Sequence, residues 1–152
     1  FEAVAKQMEE FAEQRKTQGD TGPIIVAHLV KTRQNLGEME EFYDRWIRRC
    51  GCAVITGYND FAGQIEDRSI MNMAPPRRFP CKRLSNGMMI LADGRVSLCS
   101  QDFTGKHAVG NVFIRSIKEI WKAAALERLR QAQREGNFGV NPLCARCKDW
   151  FR

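Results

Sequence analysis

Residues 81–99 read CKRLSNGMMILADGRVSLC, and residues 142–147 read PLCARC. In the first stretch, two short apolar runs at 88–92 and 95–99 flank Asp93-Gly94. That pattern predicts a β-hairpin closed by a tight type I′ turn, whose positive φ angles Asp and Gly tolerate. Cys81 enters just before the hairpin and Cys99 closes its second strand, so folding back brings the two sulfurs toward one end. In the second stretch Cys144 and Cys147 form a C-x-x-C pair, which lets two thiolates converge from a single turn. The four cysteines supply the full complement for a tetrahedral zinc or a cubane iron–sulfur cluster, and their spacing leaves both open.

Between these stretches, Ser116-Ile117-Lys118-Glu119 is a capping box that opens a helix. Its apolar face comprises Ile117, Ile120, Trp121 and Ala124. Leu126 and Leu129 fall out of that stripe, which predicts a bend or break near Ala124. Residues 136–142 read as a loop that returns the chain to the C-x-x-C pair.

Working back toward the N-terminus, the pattern is more regular. Residues 1–16 carry Phe1, Val4, Ala5, Met8, Phe11 and Ala12 at helical spacing, which predicts one buried stripe. Residues 19–23 stop that helix. A near-continuous apolar run at 24–30 predicts a strand covered on both faces. A second helix is expected over 38–49, with Met39, Phe42, Trp46 and Ile47 on one face and acidic residues in its first turn. A further short strand follows at 52–58. The order helix, strand, helix, strand favours a parallel sheet with crossover helices. Two strands do not make such a sheet stable alone, so residues 1–74 read as the closing units of a larger α/β barrel. Residues 59–73 show no period and read as a connector. Pro75, Pro76 and Pro80 then punctuate a linker, which sets the expected boundary near residue 75.

Composition narrows the function classes. The chain has 152 residues, 43% of them hydrophobic and 28% charged, which argues for a folded protein over a disordered one. No apolar run approaches the roughly 20 residues needed to span a bilayer, and the N-terminus lacks the layout of a signal peptide. The opening FEAVAKQMEEFAEQ reads as the middle of a helix, so the chain is expected to be a fragment. A net charge of +6 invites a nucleic-acid reading. A dianionic metal–thiolate centre would lower that balance to about +4. The basic residues are scattered, and the densest group, Arg77, Arg78, Lys82 and Arg83, brackets Cys81. A solvated basic surface is the favoured reading, with an acidic substrate or electron donor as its functional counterpart. Six cysteines without a secretory signal point to a reducing, cytoplasmic setting where thiols bind metal or stay free. Cys50 and Cys52, where the second helix runs into a buried strand, are read as packing residues.

The segment from residue 81 to 147 resembles the SPASM/twitch extension of radical-SAM enzymes. That family shows a cysteine, a hairpin DG-x-V-x-x-C, an Asp and GN, a helix with EIW, then P-x-C-x-x-C. Cys81, Asp93, Gly94, Val96, Cys99, Asp102, Gly110, Asn111, Trp121, Pro142, Cys144 and Cys147 match it in order. The resemblance implies an irregular α+β domain at 75–152 that binds an auxiliary [4Fe–4S] cluster through Cys81, Cys99, Cys144 and Cys147. It also implies that residues 1–74 end a partial (β/α) barrel. The intact parent would be a radical-SAM oxidoreductase or maturase binding S-adenosylmethionine and a second [4Fe–4S] cluster. Its partners would be a peptide or small-molecule substrate, an electron donor such as flavodoxin or ferredoxin, and the N-terminal part of the same chain. Membrane and nucleic acid are not expected partners.

Two departures shape this expectation. Full SPASM domains carry seven cysteines and two auxiliary clusters, whereas this region holds four, as in the single-cluster twitch form. The C-x3-C-x2-C motif that ligates the SAM-cleaving cluster is absent from the 152 residues, so the segment alone is expected to be inactive. The reading from a different class is a zinc-stapled, four-cysteine binding module without catalysis.

Several single residues carry weaker expectations. His28 reads as a core or hydrogen-bonded histidine, with a catalytic role as the rival reading. His107 reads as solvent-exposed, with an outer role near the cluster as the alternative. Asp102 and Asn111 are expected to fix loops, and Trp121 to be core. Trp150 and Phe151 are candidates to roof the cluster. Asn35 and Glu38 read equally as SAM contacts of an intact barrel or as helix caps.

Overall fold

In the computed structural model, which describes residues 1–19 and 22–151, the first element is a helix, α1 (Glu2–Gln18). Glu2 lies in its first turn and Arg15 and Lys16 in its last, matching the helix dipole. Gly19 closes it in the left-handed conformation (φ 58°) and donates its N–H to the carbonyls of Arg15 and Lys16. The rest of the expected stop touches Asp20 and Thr21, which lie outside the described residues. The buried stripe is narrower than its periodicity predicts. Ala5 and Ala12 are buried, whereas Phe1, Val4 and Phe11 are exposed. The face turned inward is the one whose small residues approach the first core.

That core consists of Ala5, Ala27 and Trp46, with Met8, Phe42, Cys50 and Ala53 packed against it. Strand β1 (Ala27–Lys31) pairs in parallel with β2 (Ala53–Gly57), Ala27 opposite Ala53 and Lys31 opposite Gly57. A short 3₁₀ turn (Leu36–Glu38) and helix α2 (Met39–Cys50) connect them, as a parallel pair requires. Gly51 caps α2 at φ 74°. The apolar run at 24–30 is not covered on both faces. Only Ala27 is buried, while Ile24, Val26 and Val30 are exposed, and the strand begins at Ala27. A two-stranded sheet packs one face on Trp46 and leaves His28, Val30 and Val54 on the other.

By packing, the described chain divides into two compact units. The first is Phe1–Tyr58 with Arg68–Ile70; the second is Asn59–Asp67 with Met71–Arg152. In the second unit the aperiodic stretch around residue 60 is a built turn. The Asp60 carbonyl accepts from the N–H groups of Gly63, Gln64 and Ile65. Phe61 packs on Phe103 with ring centroids 4.8 Å apart. The Gln64 amide donates to the carbonyl of Gln101, and its oxygen accepts from Thr104 Oγ1 at 2.9 Å. Lys148 Nζ bridges Asp60 (3.2 Å) and Asp67 (2.6 Å).

The rest of this unit comprises α3 (Lys82–Asn86), β3 (Met89–Ile90), β4 (Arg95–Ser97), β5 (Ala108–Asn111), α4 (Ile117–Trp121), α5 (Ala124–Arg134) and α6 (Pro142–Arg146). The hairpin is present, and β5 adds an unforeseen third antiparallel strand in the order β3-β4-β5. Its turn differs from the expected type I′. Gly94 alone is left-handed (φ 80°); Asp93 is not among the positive-φ residues. Gly94 N–H donates to the Leu91 carbonyl, and Leu91 N–H to the Arg95 carbonyl, both at 2.9 Å. This is a three-residue loop, a type I turn closed by a left-handed glycine. The Ser116–Glu119 capping box forms as read, and the helix breaks before Ala124. The break lets Leu126 turn into a second core with Leu84 and Leu98, against which Cys81, Val109, Trp121 and Leu129 pack. No helix among the described residues is long and apolar enough to cross a membrane.

Gly94 is the position where the hairpin depends on glycine. A Cβ there would lie 2.5 Å from the Phe113 ring and 2.8 Å from Asn111 Oδ1. Phe113 is exposed and can swing aside, so the left-handed backbone and Asn111 set the penalty. Gly94→Ala is expected to destabilise the second unit by roughly 1–3 kcal/mol, read as a lower urea midpoint in the full chain. An unchanged midpoint would refute this account of the turn.

Candidate metal centre

Each cysteine is delivered by a differently built piece of backbone. Cys81 is the N-cap residue of α3, in extended conformation, and its N–H donates to Gln133 Oε1 at 3.3 Å. Cys99 follows β4 at a turn where Asp102 N–H donates to the Cys99 carbonyl (3.0 Å). Asp102 is fully buried and ties this turn together. Its carboxylate accepts from Ser97 Oγ (2.8 Å), Lys106 N–H (3.0 Å) and His107 N–H (2.9 Å). Cys144 lies within α6 and Cys147 caps its end, Cys147 N–H donating to the Cys144 carbonyl at 3.2 Å. The helix starts at Asn141, whose side chain accepts from Leu143 and Cys144 N–H, with Pro142 next.

These four deliveries converge. Cys81, Cys99, Cys144 and Cys147 all line one small cavity, together with Arg78, Arg83, Gln101, Leu143 and Trp150. Burial pushes the Cys144 thiol up to about 12, and the negative charges of Cys99, Cys81 and Cys147 push the same way against Arg78. Burial also raises Cys99, with Cys81 adding to it, and Cys147, with Cys81 and Cys99 adding to it. Hydrogen bonds partly offset this: backbone N–H groups of Gln101 and Asp102 favour the Cys99 thiolate, and Asp149 N–H donates to Cys147 Sγ at 3.4 Å. No three His, Cys, Asp or Glu side chains among the described residues stand close enough together to hold a single metal ion. Four thiolates on one wall are the donor set that either a tetrahedral zinc or a cubane iron–sulfur cluster requires.

The basic cluster around Cys81 is solvated only in part, and here the sequence reading is corrected for two of its four members, since Arg77 and Lys82 are exposed. Arg78 and Arg83 both line the cavity. Arg83 is held by Asp149, through Oδ2 at 3.0 Å and the backbone carbonyl at 2.9 Å. Gln101 Nε2 donates to the same carboxylate at 3.2 Å. Arg78 donates to the Cys144 carbonyl at 2.7 Å and lies over Phe138 (4.6 Å) and Trp150 (5.9 Å). Two buried side-chain atoms on this wall lack a hydrogen-bond partner, Arg78 Nε and Gln101 Oε1. A donor stranded beside four sulfurs fits an anionic sulfur-ligated group. The bracketing of Cys81 by basic residues was the available signal; nothing in it separated the inward arginines from exposed Arg77 and Lys82.

The other residues singled out from the sequence distribute as follows. Trp150 is buried and lines the cavity, and Phe151 packs edge-on against it at 5.7 Å. Trp121 is half-buried against the second core, with the Arg130 guanidinium 4.0 Å from its ring centroid. His107 is half-buried, and its Nδ1 lies 3.5 Å from Asn141 Nδ2, one residue from α6. Asn111 fixes the hairpin, donating to the Asp93 carbonyl and accepting from Phe113 N–H. In the first unit His28 is exposed and bonds Thr56 Oγ1 at 2.7 Å. Asn35 accepts from Thr32 and donates to the Val30 carbonyl, so it shapes the loop after β1; neither Asn35 nor Glu38 caps a helix through its side chain. Cys50 packs against the first core and Cys52 is half-buried.

Comparison with known proteins bears on this geometry. Residues 81–148 match the SPASM family, described as an iron-sulfur cluster-binding domain. An uncharacterized protein of Treponema pallidum (strain Nichols) is 31% identical over 153 aligned positions, covering 99% of this chain and 40% of that protein. The S-adenosyl-L-methionine-dependent 2-deoxy-scyllo-inosamine dehydrogenase of Niallia circulans is 30% identical over 69 residues, 45% of this chain and 28% of that protein. The crystal structure of BtrN in complex with AdoMet and 2-DOIA superposes with a TM-score of 0.46 at 25% identity, over 70% of this chain and 43% of that one. The chain therefore spans less than half the length of the relatives it matches.

The raised thiols make metal-free stability depend on pH. A group whose folded pKa lies above its unfolded value stabilises the fold fully below the unfolded value and loses that contribution as pH rises through the folded one. The metal-free, reduced protein is expected to lose near-ultraviolet circular dichroism from the second unit between pH 9 and about 12. A flat profile across that window would contradict the burial of these thiols.

Proposed function

We propose that this chain, whose residues 81–148 match the SPASM iron-sulfur cluster-binding domain, is a radical-SAM, SPASM-type segment that holds an auxiliary [4Fe–4S] cluster through Cys81, Cys99, Cys144 and Cys147. The observation that carries the reading is the convergence of these four thiols on one cavity within a stretch that matches an iron-sulfur cluster-binding domain. Bound there, with each iron ligated by a cysteine, the cluster would supply one-electron transfer or help position substrate beside it. The chain's own contribution is the wall. Leu143 and Trp150 keep water from the sulfurs, Asp149 N–H donates to Cys147 Sγ, and Arg78 and Arg83 bring positive charge to four thiolates.

In this reading the chain is the C-terminal part of a radical-SAM oxidoreductase or maturase. The parallel β1–β2 pair with its connecting helix would close a partial (β/α) barrel begun by upstream residues. Those residues would supply the C-x3-C-x2-C motif, S-adenosylmethionine and a second [4Fe–4S] cluster. A peptide or small molecule would be the substrate, a flavodoxin or ferredoxin the electron donor, and the cytoplasm the setting. The name of the Niallia circulans relative, a SAM-dependent dehydrogenase, supports the oxidoreductase side of this proposal.

Anaerobic reconstitution of the full chain is expected to yield bound iron and sulfide with broad brown absorbance. Cys144→Ala and Cys147→Ala should each abolish it and lower the unfolding midpoint of the second unit, because metal binding there contributes folding free energy. A colourless wild-type protein with one tightly held zinc, or unchanged iron in both variants, would overturn the assignment.

A further inference from the structure

We propose, resting on the cluster reading above, that Arg78 is a tuning residue that raises the reduction potential of the sulfur-ligated core through a fixed charge and a buried, unpartnered Nε–H donor on a side chain that lines the four-thiol cavity. Three observations converge on it. Arg78 lines the cavity with all four cysteines. Its guanidinium is immobilised, anchored on the Cys144 carbonyl at 2.7 Å and laid over Phe138 and Trp150. Its Nε is buried without a hydrogen-bond partner, which is costly unless an acceptor arrives. The wall offers two kinds of acceptor, the thiolate sulfurs and the unpartnered Gln101 Oε1, and only the sulfurs carry the charge that draws a guanidinium donor.

Arg83 provides the internal contrast. It lines the same cavity, yet Asp149 neutralises it at 3.0 Å. Arg78 has no carboxylate within salt-bridge distance among the described residues, so its charge is the uncompensated one on the wall. Arg77, next in sequence, is exposed and stands over Phe79. The difference lies in the partners each meets, since Arg78 alone reaches the Cys144 carbonyl, Phe138 and Trp150.

The electrostatics give the sign. A [4Fe–4S]2+ core with four thiolates carries −2; one electron from an external reductant takes it to −3 with every iron–sulfur bond retained. A nearby cation stabilises the more negative state more strongly, and a hydrogen bond to sulfur acts in the same direction. Removing Arg78 therefore makes the core harder to reduce.

The test is an electron-paramagnetic-resonance titration of the reconstituted full chain with dithionite and redox mediators. Arg78→Gln is expected to lower the reduced-to-oxidised ratio at least tenfold at a fixed ambient potential, a shift of about 59 mV for a one-electron couple. Arg78→Lys, which keeps the charge but loses Nε and the planar stack, should fall between Gln and wild type. Arg77→Gln should leave the potential unchanged. A loaded Arg78→Gln or Arg78→Lys protein at the wild-type potential overturns the proposal, as does an equal shift from Arg77→Gln. If Arg78→Gln takes up no iron, the Lys variant decides. A wild-type chain that binds no iron and sulfide would instead overturn the cluster reading itself.

Discussion

Four cysteine sulfurs sharing one buried wall is the constraint around which the second unit is organised. Buried thiolates repel one another and lose hydration, and the raised Cys99, Cys144 and Cys147 express that conflict. Two devices on the wall answer it. Backbone N–H groups from Gln101, Asp102 and Asp149 reach Cys99 and Cys147, and two arginines bring positive charge. A cationic metal core completes the neutralisation in the proposed function.

Much of the surrounding architecture can be understood as fixing where those sulfurs stand. Asp102, with three donors on its carboxylate, sets the turn after β4. The left-handed Gly94 closes the hairpin that carries Cys99 to its place. Asn141 and Pro142 start a helix of one turn, just long enough to present both members of the C-x-x-C pair. The break before Ala124 redirects α5 so that Leu126 fills the core beneath Cys81. The stretch around residue 60 braces this end, through Phe61 on Phe103, Gln64 on Gln101, and Lys148 on Asp60 and Asp67.

The first unit rests on a different principle. Trp46 gathers Ala5, Ala27 and Ala53 into a core made chiefly of one large ring and small partners. That economy explains why the helical stripe of α1 and the apolar run at 24–30 read as wider than they are. Periodicity marks which residues can face inward; the size of the opposing element decides how many do.

By itself the sequence determined what local chemistry specifies. The Ser116–Glu119 box, the Asp93-Gly94 turn site, the helix–strand alternation and the C-x-x-C pair each act within a few residues, and each formed. The four cysteines that meet on one cavity were marked too, by the C-x-x-C pair and by the hairpin between the other two. Only the tertiary structure decided what depends on distant partners. Residue 60 faces residue 148 across an aperiodic stretch, β5 exists because β4 offers it an edge, and α3 forms over residues that no periodicity marked. Arg78 and Arg83 turn inward where Arg77 does not, because Asp149, Trp150 and the Cys144 carbonyl wait for them at the far end of the chain. Charge is written in sequence; its direction is set by whatever the fold places opposite.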